Sequence, residues 1–129
     1  MPTIVVAYTP NEQGEAALER GIEEAGLRSA RLVVVNATKG EALVDPRYLS
    51  DSDAPLLDAR LAEAGVEHEI ERDLAGDPAD IVVDSARELG AELVVIGLRR
   101  RTPVGKLVLG SVSQRILLDA TVPVLAVHV

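Results

Sequence analysis

The residues best suited to chemistry lie together in one stretch, Gly97-Leu98-Arg99-Arg100-Arg101-Thr102-Pro103-Val104-Gly105-Lys106, which runs on through Gly110-Ser111-Val112-Ser113 to Arg115. Three arginines and a lysine among glycines, next to a helix start, are the components of an anion site. Glycine permits close backbone approach, a helix N-terminus presents unpaired N–H groups, and guanidinium and ammonium groups supply charge-assisted hydrogen bonds. Ser111 and Ser113 fall in the first turn of that expected helix. Their expected roles are phosphate or cap contacts, since a nucleophilic serine needs a base within reach and none is evident. The competing view is that the glycines shape a turn and the arginines are simply solvated.

Charge placement favours the anion. The chain has 129 residues and a net charge of −8, yet from Arg99 onward five basic residues face the single Asp119, against 20 acidic and 8 basic residues before it. The overall acidity argues against nucleic acid or an anionic membrane as a partner. There is no cysteine, which excludes disulfides and thiolate chemistry, and the start MPTIVVAYTP lacks the features of a secretory signal. A cytoplasmic protein forming one domain over residues 1–129 is expected, long enough to bury roughly 65–70 % of its unfolded surface.

The elements that must position the stretch are legible from periodicity. Short β-branched runs predict strands over Thr3–Tyr8, Arg31–Ala37, Glu92–Gly97 and Val122–Val129, with an alternating strand over Val66–Leu74. Between them lie four helical patterns. The first is capped by Asn11 and buries Leu18, Ile22 and Ala25. The second places Leu56, Leu57, Leu61 and Ala64 at helical spacing before Gly65. The third starts at Asp77-Pro78 and stops at Gly90, and the fourth covers Ser111 to Asp119 with Val112, Ile116 and Leu117 turned inward. Alternating strands and helices imply a three-layer α/β/α sandwich with a five-stranded parallel sheet, Rossmann-like in class. Ligands of such sheets sit beyond the carboxyl ends of the strands, where the loops after Tyr8, Ala37 and Gly97 meet. The long piece from Thr38 to Asp53 is expected to be a surface loop, with a flap over the ligand as the alternative.

Several known site types do not fit. A Walker loop fails at Arg100 and Leu107, and no G-x-G-x-x-G follows the first strand, where the chain has YTPNEQG. A phospho-receiver would need adjacent acidic residues there. His68 and His128 lack ligand-spaced partners and are expected at the surface with no metal, and Glu67, Glu69 and Glu71 are expected on a solvated strand edge.

The run AELVVIGLRRRTPVGKLVLGSVSQRILLDATVPVLAVHV resembles the C-terminal third of the universal stress protein family, whose signature is G-x2-G-x9-G-[ST] followed by a helix and a final strand. Gly97, Gly110 and Ser111 match the signature, and Arg100 stands at its second glycine. The resemblance implies a sheet ordered 3-2-1-4-5 and an adenine-nucleotide site built from Thr9, Pro10, Ala37, Gly97, Arg99, Arg100, Gly110, Ser111, Val112 and Ser113. It also implies ATP with Mg2+ as the ligand, a regulatory role in stress response, and at most slow ATPase activity. Thr9 stands where nucleotide-binding members carry an acidic residue, and Ala37 where adenine lies. Family members dimerise through the last strand, which implies a homodimer pairing Val124, Leu125, Ala126, Val127, His128 and Val129 antiparallel to their copies. Because Arg100 and Thr9 depart from the pattern, the alternative is a nucleotide-free dimeric interaction module.

Overall fold

The apolar runs form a parallel sheet because every residue of a doubly covered strand meets a core. In the computed structural model, which describes residues 1–38, 46–73, 75–99 and 109–129, the chain order is β1 (Thr3–Ala7), α1 (Glu12–Arg28), β2 (Arg31–Ala37), α2 (Ala54–Glu63), β3 (His68–Asp73), α3 (Pro78–Glu88), β4 (Leu93–Gly97), α4 (Ser111–Asp119) and β5 (Val124–Val127). The sheet order is β3-β2-β1-β4-β5, and every adjacent pair is parallel. Alternate residues of the central strands feed two cores. Ile4, Val6, Leu32 and Val34 pack with Leu18 of α1 and Leu57 and Leu61 of α2. Val5, Val33, Val35, Val94 and Ile96 pack with Val82 and Ala86 of α3 and Ile116 of α4.

The helix ends follow their local signals. Asn11 is the N-cap of α1, its side chain accepting from the Gly14 N–H, and Asp77 caps α3 by accepting from the Ala79 and Asp80 N–H groups ahead of Pro78. Gly65 and Gly90 follow α2 and α3 with φ of +74° and +61°.

Burial corrects the expected faces of two helices. In α2 only Leu57 and Leu61 are buried, whereas Leu56 is 68 % exposed and Ala64 lies in the exposed C-cap. Adjacent leucines point about 100° apart on a helix, so one apolar face takes one of them. In α4 Ile116 is buried and Val112 half-buried, but Leu117 faces outward. β5 is shorter than expected, ending at Val127, and all four of its residues are half-buried. The Thr38 to Asp53 connection is tied down where it is described. The amide of the fully buried Asn36 donates to the carbonyls of Tyr8 (3.0 Å) and Arg47 (2.8 Å), and its oxygen accepts from the Leu49 N–H (2.8 Å). The rest of that connection, 39–45, with its expected flap, and the stretch 100–108, which holds Arg100, Arg101, Gly105 and Lys106, lie outside the described residues, as does Leu74.

Candidate nucleotide site

The carboxyl ends of β1, β2 and β4 converge with the starts of α3 and α4 around a cavity of about 300 Å3, at the small end of the range for small-molecule sites. One end is apolar, formed by Val35 and Ala37 of β2 with Pro78 and Val82 of α3. The other is polar, formed by Gly97, Arg99, Gly110, Ser111, Val112 and Ser113. Thr9, Asn11, Gln13 and Gly14 make the wall between them.

Of the residues the sequence singles out, Thr9, Ala37, Gly97, Arg99, Gly110, Ser111, Val112 and Ser113 meet here. Pro10 instead lines a separate shallow hollow with Leu56, Asp53 and Arg60. Arg100 lies outside the described residues. Arg115, counted above with the basic cluster, is engaged elsewhere. Its guanidinium pairs with Asp77 at 2.7 Å, Asp80 at 2.6 Å and Asp119 at 3.6 Å, joining α4 to the start of α3.

The polar end is built by the entry to α4. Gly110 is the N-cap in extended geometry (φ −66°, ψ 156°) and offers no capping side chain, so the first-turn amides depend on another acceptor. The Arg99 guanidinium lies alongside, near enough that a Cβ on Gly110 would come within 3.2 Å of its Nε. Ser113 is buried, and its hydroxyl reaches the Gly97 carbonyl over a long 3.5 Å. Every ionised side chain among the described lining residues is an arginine, Arg47 or Arg99, in a chain of net charge −8. Of the two, Arg99 lies beside Gly110, where the helix dipole already favours an anion.

The wall after β1 depends on crowding. A Cβ on Gly14 would stand 2.6 Å from the backbone nitrogen and carbonyl carbon of Thr9. One on Gly97 would stand 2.5 Å from the Gln13 carbonyl carbon, so both glycines let α1 press against the strand ends. The Thr9 hydroxyl donates to Asn11 Oδ1 at 2.9 Å, which leaves its lone pairs as acceptors for a ligand. Tyr8 donates to Glu15 at 2.6 Å, and Glu15 pairs with Arg60 at 2.6 Å, linking β1, α1 and α2. Burial first, and then the bond to Glu15, push the Tyr8 hydroxyl far above its ordinary range, so it remains a protonated donor.

Thr38 and Arg47 line the cavity without having been expected there, and so does Gln13; Asn36, just behind it, ties the Arg47–Leu49 segment to the end of β1. Asn36 could have been flagged as the one polar residue inside the run LVVVNA, since a buried amide must find partners. His68 also differs from expectation. Its Nε2 lies 2.7 Å from Asp58 Oδ1 and its Nδ1 2.7 Å from the Val66 carbonyl, so it is a bound residue between α2 and β3. Among the described residues no group of three or more His, Asp or Glu could hold a metal ion, and no helix is long and apolar enough to cross a membrane.

Comparison with known proteins agrees with this architecture. The model of the universal stress protein family matches residues 1–128. A universal stress protein of Mycolicibacterium smegmatis is 46 % identical over 124 residues, covering 96 % of this chain and 95 % of that one. The solved structure of the universal stress protein from Archaeoglobus fulgidus in complex with dAMP is 29 % identical with a TM-score of 0.65, covering 98 % of this chain and 97 % of that one. A universal stress protein solved in complex with cAMP is 26 % identical with a TM-score of 0.73, over 98 % and 96 % of the two chains. Sheet order and sequence therefore agree: this chain belongs to the universal stress protein family.

Proposed function

We propose that the protein binds an adenine nucleotide, ATP or a monophosphate, in the cavity at the carboxyl ends of β1, β2 and β4, as a regulatory module of the stress response. The observation that carries this reading is the start of α4, whose N-cap Gly110 brings no capping side chain, beside Arg99 in a cavity whose described ionised side chains are both arginines. The phosphate is placed against the amides of Ser111 to Ser113 and the Arg99 guanidinium, and the base in the apolar end beside Ala37. Relatives solved with dAMP and cAMP support the ligand class. Thr9 brings no carboxylate to the sugar, so the ribose hydroxyls contribute little and affinity rests on the phosphate and base. With no carboxylate among the described lining residues, Mg2+ would be held through the phosphates and water. Among the described lining residues none is a histidine or carboxylate that could act as general base, which fits binding with at most slow hydrolysis.

The same reading extends to a homodimer through β5. Val94 N–H donates to the Pro123 carbonyl and Leu98 N–H to that of Val127, so by parallel-ladder alternation the backbone groups of Val124 and Ala126 face the open edge. Leu117, Leu118 and Val129 are exposed nearby in the chain.

Isothermal titration with ATP and Mg2+, AMP and cAMP tests the proposal. Binding is expected, and Arg99→Ala should weaken it about 10- to 100-fold, the loss of a charge-assisted contact. Arg99 makes no ion pair or hydrogen bond among the described residues, so the variant should fold normally. Absence of heat at millimolar concentrations of all three nucleotides would refute binding and leave the dimeric interaction module.

A further inference from the structure

We propose that Arg115 is a positioning residue for the phosphate: bridging Asp77 and Asp80 at the start of α3, its guanidinium offsets carboxylates that would otherwise repel an anion at the first turn of α4. The inference rests on the nucleotide reading above. Arg115 stands one turn after Ser111 and Val112, which line the cavity, and Asp77 directly precedes Pro78, which lines it too. Arg115 itself does not line the cavity, so it acts on the ligand without touching it.

The start of α3 carries its two acids for reasons of its own. Asp77 Oδ1 accepts from the Ala79 N–H at 3.0 Å and from the Asp80 N–H at 3.4 Å, and Asp80 suits the positive end of the helix dipole. That same helix end borders a site read as anion-binding, where two carboxylates oppose the ligand. The Arg115 guanidinium meets both, Asp77 at 2.7 Å and Asp80 at 2.6 Å, with Asp119 one turn further along α4 at 3.6 Å. Asp77 first, and then Asp80, raise its pKa, so it stays charged. Helical side chains lean back toward the N-terminus, which carries this charge toward the first-turn amides. Ion pairs as exposed as these contribute little to folding stability. Removing the arginine should therefore leave the fold intact while changing the field at the neighbouring site.

The experiment is calorimetric titration with AMP at about 10 mM and about 1 M salt, where the Debye length is about 30 Å and about 3 Å. It compares the wild type with Arg115→Gln, Arg115→Lys and Asp80→Asn, with thermal midpoints as the check on folding. For one charge roughly 10 Å from a phosphate dianion, Coulomb's law gives a change of about three- to tenfold in affinity. At low salt Arg115→Gln should bind AMP more weakly by that factor, and Asp80→Asn more tightly by a similar one. Arg115→Lys should stay within about twofold of the wild type, because it keeps the charge. At high salt all three should converge on the wild type. Asp80→Asn leaves Arg115 in place, so it carries the test if Arg115→Gln does not fold. If Arg115→Gln binds AMP as well as the wild type at low salt, or Asp80→Asn binds no more tightly, the inference fails and the nucleotide reading stands. A loss that persists at high salt, or that Arg115→Lys shares, marks a purely structural clip between α3 and α4 and also overturns it. A wild type that binds no AMP at either salt overturns the nucleotide reading and this inference together.

Discussion

Replacing Gly97 with alanine separates two reasons for a glycine in this motif, close approach of a ligand and close approach of the chain itself. A Cβ at 97 would lie 2.5 Å from the carbonyl carbon and 2.9 Å from the Cα of Gln13, with the Gln13 oxygen nearer still. These are backbone atoms in the first turn of a 17-residue helix whose Gly14, Ala17, Leu18 and Gly21 are buried, so no side-chain rotation relieves the clash. Ordinary carbon contacts sit near 3.5 Å, which requires α1 and the end of β4 to separate by roughly 1 Å or more. Overpacking of this kind costs about 2–3 kcal/mol. In a domain of this size that corresponds to a fall of about 6–15 °C in the midpoint. At Gly110, by contrast, the nearest described atoms a Cβ would meet belong to the flexible Arg99 side chain, 3.2 Å away at its Nε, and φ is −66°. Gly110→Ala should therefore cost less than about 1 kcal/mol while displacing Arg99 and weakening nucleotide binding. Thermal and urea denaturation of the ligand-free variants measure the difference. If Gly97→Ala lies within about 0.5 kcal/mol of the wild type, the packing argument is wrong.

Asn36→Ala leaves the Leu49 N–H and the Tyr8 and Arg47 carbonyls without their partner, so a loss of about 2–4 kcal/mol in urea denaturation is expected, with faster hydrogen exchange at Leu49. The His68 pKa is raised, chiefly by its bond to the Val66 carbonyl and then by Asp58, because only the protonated ring donates from both nitrogens. Its stabilisation is present below the unfolded value of about 6.5 and is lost as pH rises through the folded one. The stability advantage of the wild type over His68→Gln should therefore shrink as pH rises above about 6.5, and a constant difference would contradict it. Ala126→Pro removes an N–H from the open side of β5 without touching the bonds that β4 donates to Pro123 and Val127. Light scattering should show the wild type as a dimer and this variant as a monomer, whereas a monomeric wild type would end the dimer proposal.

The parts of this fold legible in the sequence are those whose causes are local. A run such as TIVVA or RLVVV announces a doubly covered strand, and Asn11 and Asp77 announce their helices within three residues. What escaped depends on partners far along the chain. Periodicity admitted both Leu56 and Leu57, and only the packing of α2 onto the core it shares with α1 and the sheet selects Leu57. Arg115 reads as part of a basic cluster until Asp77 and Asp80 meet it from α3. Gly97 is conspicuous as a glycine, but the need for it comes from Gln13. The site was half legible in the same sense: its phosphate end lies in one stretch, whereas the rest of its lining draws Thr38 and Arg47 from the connection after β2 and Pro78 and Val82 from α3.

A phosphate held by the first-turn amides of α4 should be detectable at those amides. Backbone amide NMR during addition of AMP tests it at the atoms concerned. The signals of Ser111, Val112 and Ser113 should shift saturably, together with the Arg99 Nε–H, while those on β3 and the outer face of α2 stay fixed. Millimolar AMP leaving those three amides unmoved, or moving only residues away from this cavity, would contradict it.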